Sequence, residues 1–396
     1  MEAYALDWLQ LILRWVHLIT GIAWIGASFY FVWLDDSLEP PRDPADTEKG
    51  IGGELWAVHG GGFYVVRKFR GAPETLPATL HWFKWEAYWT WMSGFALLVL
   101  MYYLHARAYL IDRSVADLTP LQAIGTSVVL IVVAWLFYDQ LCKRLGLERE
   151  TWIAGAMIAF TALAAWGLSH LFSGRGTYIQ IGAMLGTIMV ANVAHVIIPS
   201  QRKLVEAKRE GIAPDPMDGL RGKQRSVHNN YFTLPVLFIM ISNHYPLTYG
   251  HPRGWLILIA ILLLAAYVRH FFNLRHKGRK AWAIPIIAAL GTLALAIAIA
   301  PPKPQAGSTA PTFSQVQAIV AQRCVSCHAD KPTQEGFAVA PKDVKLDTPE
   351  RIRANVQKIY EQVVATKAMP IGNLTGMTDA ERSMVAAWAA AGAESR

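Results

Sequence analysis

Up to Ala300 the chain alternates between long apolar runs and short connectors rich in polar and basic residues, and beyond it the pattern changes. Eight runs, roughly Leu6–Leu34, Trp82–Leu104, Leu121–Leu141, Trp152–Phe172, Thr177–Pro199, Val227–Asn243, Trp255–Leu274 and Ala281–Ala300, suit membrane spans. A bilayer core of about 30 Å takes about 20 helical residues. The sixth run is the shortest and contains Pro235. Many runs begin or end in Trp or Tyr, as an interfacial aromatic belt requires. The first is too long, and lacks the small-residue cleavage site, for a removable signal peptide. The pattern therefore predicts an all-α fold: a polytopic membrane helix bundle of about eight spans over 1–300, followed by a small separate domain.

Charge refines this picture. The net charge of +8 could suggest nucleic acid. The Lys and Arg residues, however, cluster in short loops between apolar runs, which points to membrane topology and to no nucleic-acid partner. Ser200–Asn230 carries Arg202, Lys203, Lys208, Arg209, Arg221, Lys223 and Arg225. Lys143, Arg144 and Arg149 follow the third run, and Arg275, Lys277, Arg279 and Lys280 the seventh. With eight spans these loops share one side, and positive loops are cytoplasmic. The N-terminus and everything after the eighth span then face outward.

Pro301–Pro311 is a linker of Pro, Gly and Ser without periodicity. The remaining domain, 312–396, opens with a short helix, Phe313–Arg323, that delivers Cys324, Cys327 and His328. Cys-x-x-Cys-His is the attachment pattern for a covalent c-type haem, with His328 as one axial ligand of the iron. The competing reading is a zinc half-site or a redox dithiol. With three cysteines there is no second pair, and Cys142 is left as a free thiol at a helix end. The second axial ligand is expected to be Met369, between a helical stretch Pro349–Thr366 and a final helix Thr378–Ala391; Met377 and Met384 are its rivals. The domain resembles the class I cytochrome c family over its whole length, down to Trp388. Covalent haem attachment takes place outside the bacterial inner membrane, so the motif and the basic loops agree on orientation.

Ionisable residues inside spans are costly and invite functional hypotheses. His17 is the deepest, on a face with Gly21, Trp24 and Ser28 that would let a macrocycle or another helix approach. His195 and His270 lie in spans five and seven, His81 and His228 at the basic ends of two and six, and His105, His170 and His244 at the opposite ends. Pairs on facing helices could hold haem b. His17, His105, His170, His195, His244 and His270 are the candidates. In "HGGGFYVVRKF", His59–Phe69, three glycines permit close approach to a ligand, or else an amphipathic hairpin. No Gly-x-Ser-x-Gly elbow accompanies it, which excludes a lipase-like hydrolase. "HWFKWEAYWTW" places Lys84 and Glu86 in an aromatic helix start, "HVIIPSQRK" brings His195 to a helix end broken by Pro199, and "RSVHNNYFTLPVLFIMISNH" opens a span with His228, Asn229 and Asn230. The Asn pair has a plainer reading as helix caps.

Together, "HLITGIAWIGASFYF", "GGGFYVVRKF", "HWFKWEAYWTW" and "HNNYFTLPVLFIMISNHYP" resemble the membrane-bound, cytochrome-c-linked urate oxidase family over the whole chain. The resemblance implies oxidation of urate to 5-hydroxyisourate with water as oxygen source, no peroxide, and electrons passed through haem c to a downstream cytochrome c or terminal oxidase. It implies a multi-pass protein of the bacterial inner membrane, in contact with lipid, with its N-terminus and cytochrome domain periplasmic. A planar urate anion needs a cation, amide side chains, an aromatic face and a base. His81, Lys84, Glu86, His195, His228 and Asn229 are the catalytic candidates, with Arg67, Trp85, Gln201, Arg202 and Asn230 nearby in sequence. A site on the basic side would lie a bilayer away from the haem. Either haem b relays electrons, or the site opens toward the other half near His17, His105, His170 and His244. A quinol:cytochrome c oxidoreductase, or a non-enzymatic membrane protein carrying a cytochrome, are the alternatives.

Overall fold

A computed structural model describes residues 2–300, 311–334 and 337–392, so all of the linker but Pro311 lies outside the described residues. Helix α1 is Glu2–Asp36; a short α2, Pro44–Glu48, and strands β1, Ile51–His59, and β2, Gly62–Phe69, follow it. Helix α3, Trp85–Leu97, runs on through a π-helical turn at Leu98–Tyr103, and a short α4 spans Ala106–Tyr109. Next come α5, Pro120–Leu145, α6, Glu150–Leu168, and α7, Gly174–Asn192, which continues through a π-helical turn at Val193–Ile197 into α8, Ile198–Arg209. Helices α9, Pro216–Ser242, α10, Pro246–Tyr249, α11, Gly254–His276, and α12, Ala283–Ala298, complete the bundle. A long helix thus occupies each of the eight apolar runs. Five helices, Tyr4–Asp36, Pro120–Leu145, Glu150–Leu168, Gly174–Arg209 and Gly254–His276, are long and apolar enough to cross a membrane, and Ala283–Ala298 is apolar but shorter. The protein is a mostly helical chain with the character of a multi-pass membrane protein.

Helix α7 is the axis of the bundle. Of its apolar window 56% is buried, against 6% for α1 at the periphery, so α7 meets protein and α1 presents most of its surface to lipid. Glycines bring α9 close to α7: a Cβ on Gly182 would lie 2.5 Å from Ile239 Cγ2. Helix α1 docks on α3 through the His17 face. His17 Nδ1 sits 2.9 Å from Thr90 O and 3.2 Å from Ser93 Oγ, and its ring rests where a Gly94 Cβ would be, 2.7 Å away. What approaches this face is therefore a helix. Ser28, further along it, accepts from Asn230 of α9 at 3.2 Å.

One string left open between a ligand loop and a hairpin is settled as the hairpin, and three differences from the sequence reading have physical causes. "HGGGFYVVRKF" forms the second strand and turn of an antiparallel hairpin, with Gly60 and Gly61 both at positive φ as a two-residue turn requires. Pro199 does not break its helix: the π-helical turn Val193–Ile197 just before it interrupts the regular α-helical ladder there, and the chain runs on into α8. Asn229 and Asn230 are not caps: α9 begins at Pro216, capped by Asp215, and runs on past Pro235. His81 lies outside α3, whose first residue is Trp85.

At the basic end of the bundle, a buried polar network ties α5, α6, α7 and α9. Arg225 Nη2 meets Asp139 Oδ1 at 3.0 Å, and its Nη1 donates to Asn192 Oδ1 at 3.3 Å. Asn192 Nδ2 donates to Tyr138 Oη (3.1 Å) and to Asn229 Oδ1 (2.8 Å). Tyr138 Oη lies 2.8 Å from His228 Nδ1, and His228 Nε2 2.7 Å from Glu150 Oε2. Asp35, at the end of α1, pairs with Lys68 of the hairpin and with Lys223 of α9 at 2.5 Å.

The tail domain has its own core. Helix α13, Phe313–Arg323, crosses α16, Asp379–Ala390, with Val316, Val320, Val385 and Trp388 buried between them. Each starts with a capping box, Thr312–Gln315 and Thr378–Glu381, and Arg323 Nε bonds Glu381 Oε1 at 3.0 Å. The stretch predicted as one helix is α14, Pro349–Ala354, and α15, Val356–Ile359, followed by a π-helical turn Tyr360–Ala365. The domain rests on the bundle opposite the basic loops. Gly372, at φ +53, faces the carbonyls of Arg107, Ala108 and Ile111, 2.9–3.1 Å from where its Cβ would be. Gly250 abuts Thr366 O closely enough that no side chain fits there. This is the tail end of the bundle.

Two outcomes are expected. Arg225→Met leaves Asp139 with Lys143, at 2.7 Å, as its remaining cation and lowers unfolding stability by about 1–3 kcal/mol, whereas Arg225→Met with Asp139→Leu recovers much of the loss. Gly94→Val drives a branched side chain into His17 and costs about 1–3 kcal/mol through overpacking. Thermal unfolding in detergent measures both.

Candidate functional site

Three assemblies carry chemistry: one in the tail domain, one at each end of the bundle. In the tail domain, Cys324 and Cys327 are free thiols where α13 ends, followed at once by His328. Burial, reinforced by Cys327 alongside, pushes the Cys324 thiol up to about 12, so it stays protonated at neutral pH. His328 Nδ1 lies 2.7 Å from Val344 O; as a donor to that carbonyl it leaves Nε2 free for an axial ligand bond. Met369 packs against the same core as Cys324. Arg382 holds that loop by donating to Val363 O (2.5 Å) and Met369 O (2.7 Å). The rivals are placed differently: Met377 is 4% exposed within the core, and Met384 packs against that core from inside α16. The buried Trp388 Nε1 has no hydrogen-bond partner among the described residues. Among them, no three His, Cys, Asp or Glu side chains converge as ligands of a metal ion. Two thiols, an imidazole oriented by a carbonyl and a thioether in a loop fit a covalent haem.

At the basic end, the six residues expected to be catalytic do not form one site. His228 and Asn229 are inside the network described above, with His228 bonded on both ring nitrogens and Asn229 Nδ2 donating to Met189 O at 2.9 Å. His195 lies on an aromatic groove of about 590 Å³ that includes Trp85, Trp91 and Trp135, its ring 5.9 Å from Trp135. Lys84 lies over Trp85, 5.4 Å from the ring centroid, and His81 is edge-on to Phe83 at 4.6 Å on the surface. Glu86 is half-buried in the first turn of α3. Arg67 is taken up by Asp46 at 2.8 Å and Glu54 at 3.8 Å. Of the candidate haem b ligands, His17 has its contacts on α3. His105 Nδ1 is 3.0 Å from Leu100 O, His170 Nδ1 2.8 Å from Trp166 O and His270 Nδ1 2.7 Å from Tyr231 Oη. His244 is exposed. No hydrogen bond or ring contact joins two of the six among the described residues.

Sequence reasoning missed two arginines. Arg269 of α11 is 3% exposed and donates to Asn230 Oδ1 (2.8 Å) and Asn273 Oδ1 (2.9 Å), with its guanidinium 4.1 Å from the Phe29 ring centroid. It lines a cavity of about 420 Å³ with Phe29, Tyr30, Trp33 and His276. Arg175, in the first turn of α7, lies at the tail end. Its Nε donates to Tyr102 Oη (3.1 Å) and Asn243 Oδ1 (3.0 Å), and its Cζ stands 4.8 Å from the Tyr109 ring centroid. Tyr102 also donates to Asn243, at 3.1 Å, closing the triangle. Neither arginine has a carboxylate partner within ion-pair distance among the described residues, in contrast to Arg225. The available signal was weak: Arg175 opens the fifth span, Asn243 closes the sixth and Tyr102 lies in the second, and only the fold shows them meeting.

The match to known proteins covers the bundle and stops before the tail domain. No curated protein and no solved structure matches the chain. The family model described as urate oxidase N-terminal matches residues 3–300, which is most of the chain and all of the bundle, and the chain therefore belongs to the urate oxidase N-terminal family.

Proposed function

We propose that the protein is a membrane-bound urate oxidoreductase that hydroxylates urate with water and delivers the electrons to a haem c carried on its own tail. The observation that carries the reading is the union in one chain of a urate oxidase N-terminal bundle with a Cys324-x-x-Cys327-His328 domain resting on it. The balance is urate plus one water giving 5-hydroxyisourate, two protons and two electrons. Haem c, when bound, supplies a one-electron acceptor, so two such transfers follow each substrate, with a downstream cytochrome or oxidase as the sink. Cys324 and Cys327 would hold the porphyrin, His328 and Met369 the iron. Dioxygen has no part in this balance, and no peroxide forms.

The same reading assigns eight spans, basic loops in the bacterial cytoplasm, and the N-terminus and tail in the periplasm. Its support is that the basic end and the tail domain occupy opposite ends of the bundle. Haem b between spans stays part of the proposal: the contacts of His105, His170 and His270 run through Nδ1 and leave each Nε2 free, as at His328, while substrate bound at the tail end would need no intramembrane relay. The aromatic groove at His195 favours one second reading, a lipid-soluble quinol as electron donor, because several of its walls are exposed where lipid would lie.

Urate added without oxygen to the oxidised holoprotein is expected to raise the reduced haem c bands, with two haems reduced per urate consumed. Reduction by a quinol alone supports the second reading, and reduction by neither removes both. In a second measurement, Met369→Ala lowers the haem midpoint potential, since a thioether axial ligand raises it. Met377→Leu and Met384→Leu leave the potential near its starting value.

A further inference from the structure

A site that feeds electrons to the tail haem has to be close to it, because electron tunnelling weakens steeply with distance. The segment of the tail domain that touches the bundle runs from Thr366, against Gly250, to Gly372, against the Arg107–Ile111 turn. Met369 lies between those two contacts. On the bundle side, the residues next to the contacts are Tyr249, which precedes Gly250, and Tyr109, within the turn. The Tyr109 ring faces Arg175 directly. Around Arg175, Tyr102 and Tyr109 stand with ring centroids 6.1 Å apart, and Tyr178 and Tyr249 likewise at 6.1 Å.

The guanidinium at the centre is only partly used. Its Nε serves Tyr102 and Asn243, no described hydrogen bond uses Nη1 or Nη2, and no described carboxylate lies within ion-pair distance. A cation half-buried at the end of an apolar bundle, covered by the Tyr102 and Tyr109 rings and with two amino groups that make no described hydrogen bond, has the donors to take an anion. A second set of unmet donors lies on the same helix but on its α5 side, about 140–200° around from Arg175. Tyr103, next to Tyr102, bonds Ser127 Oγ at 2.6 Å, and Ser127 donates to Gln180 Oε1 at 2.7 Å. This leaves the fully buried Gln180 Nε2 without a partner, as is the Thr177 hydroxyl. Buried polar atoms without partners are uncommon and are normally answered by water or a ligand.

Resting on the proposed urate oxidation, we infer that urate binds as its planar anion at the tail end, against the Nη groups of Arg175, directly beneath the Met369 loop. The Nη groups meet the negative edge of the purine, and the tyrosines, packed on one another and on the guanidinium, hold the cation in place. The polar network at the basic end is excluded by its own completeness: Arg225 has Asp139, and His228 has Tyr138 and Glu150, so an anion there would displace a partner already in place. Arg269 is the strongest competitor, since it too lacks a carboxylate and lines a cavity. It lies at the far end of the bundle, beside Asn273 and His276 in the last turns of α11, away from the tail domain.

The test uses full-length holoprotein reduced with dithionite, so that binding is read without turnover, and equilibrium dialysis with urate. Arg175→Gln is expected to bind urate about tenfold to a hundredfold more weakly, the range of a lost charge-assisted hydrogen bond. Arg175→Lys, which keeps the charge and guards against a folding defect, falls between the two. Arg269→Gln binds as the parent does, and the haem midpoint potential is unchanged in Arg175→Gln. Wild-type affinity in Arg175→Gln, or loss of binding in Arg269→Gln instead, overturns the location and leaves urate oxidation standing. A shifted potential with intact binding shows that the guanidinium serves a haem carboxylate, which also overturns it. Failure of the parent to bind urate at all removes the functional reading itself.

Discussion

Within a helix bundle of this apolarity a charge survives only if its partners are supplied by the protein, because the surroundings supply none. Three buried or half-buried arginines meet this constraint in different ways. Arg225 is neutralised by Asp139 and braced by Asn192, at the junction of α5, α7 and α9. Arg269 is solvated by two asparagine side chains and covered by Phe29. Arg175 is held through one nitrogen by a tyrosine and an asparagine. The helices that bring these partners together are the ones whose positions the charges fix.

Helix α7 carries the consequence from one end to the other. Arg175 stands in its first turn and Asn192 at its last residue, so a single rigid rod connects the aromatic end with the basic end. The rod packs tightly because glycines lie at its contacts. Gly174 lies directly against Tyr249 O, and Gly176 would place a Cβ 2.9 Å from Leu110 O. Those two contacts set the tilt of α7 against the turn and the short α10 on which the tail domain rests. Packing of α7 therefore also decides how the Met369 loop is presented to the bundle.

Much of this arrangement is legible in the sequence, and the parts that are not share a cause. Apolar runs announce each long helix, since a bilayer-length pattern has few alternatives. Cys324, Cys327 and His328 announce themselves through contiguous spacing. The capping boxes at Thr312 and Thr378 bound the tail helices by local chemistry. What local sequence cannot give is the meeting of distant residues. Asn229 looks like a cap when the helix is assumed to begin with the apolar run, and only the Asp215 cap with Pro216 shows α9 starting earlier. The histidines draw attention by type, yet His17 and His228 are satisfied by Thr90 and Glu150 from far along the chain. Arg175 draws none, because its significance is the lack of a carboxylate, and that is a property of the fold.

The contrast between the two polar ends bears on how such a protein divides stability from activity. At the basic end Arg225, Asn192, Tyr138 and His228 each meet their partners, in a buried network that specifies the packing of four helices, and His276 Nδ1 is the unmet buried atom there among the described residues. At the tail end the donors outnumber the acceptors: Arg175 retains its amino groups, and Gln180 and Thr177 retain theirs. Unmet polar groups cost free energy in the ligand-free protein, on the order of 1–3 kcal/mol each when fully buried. A fold that tolerates that cost beside the domain bearing the haem motif, while completing the Arg225–His228 network at the opposite end, stores binding capacity where electrons have the shortest way out.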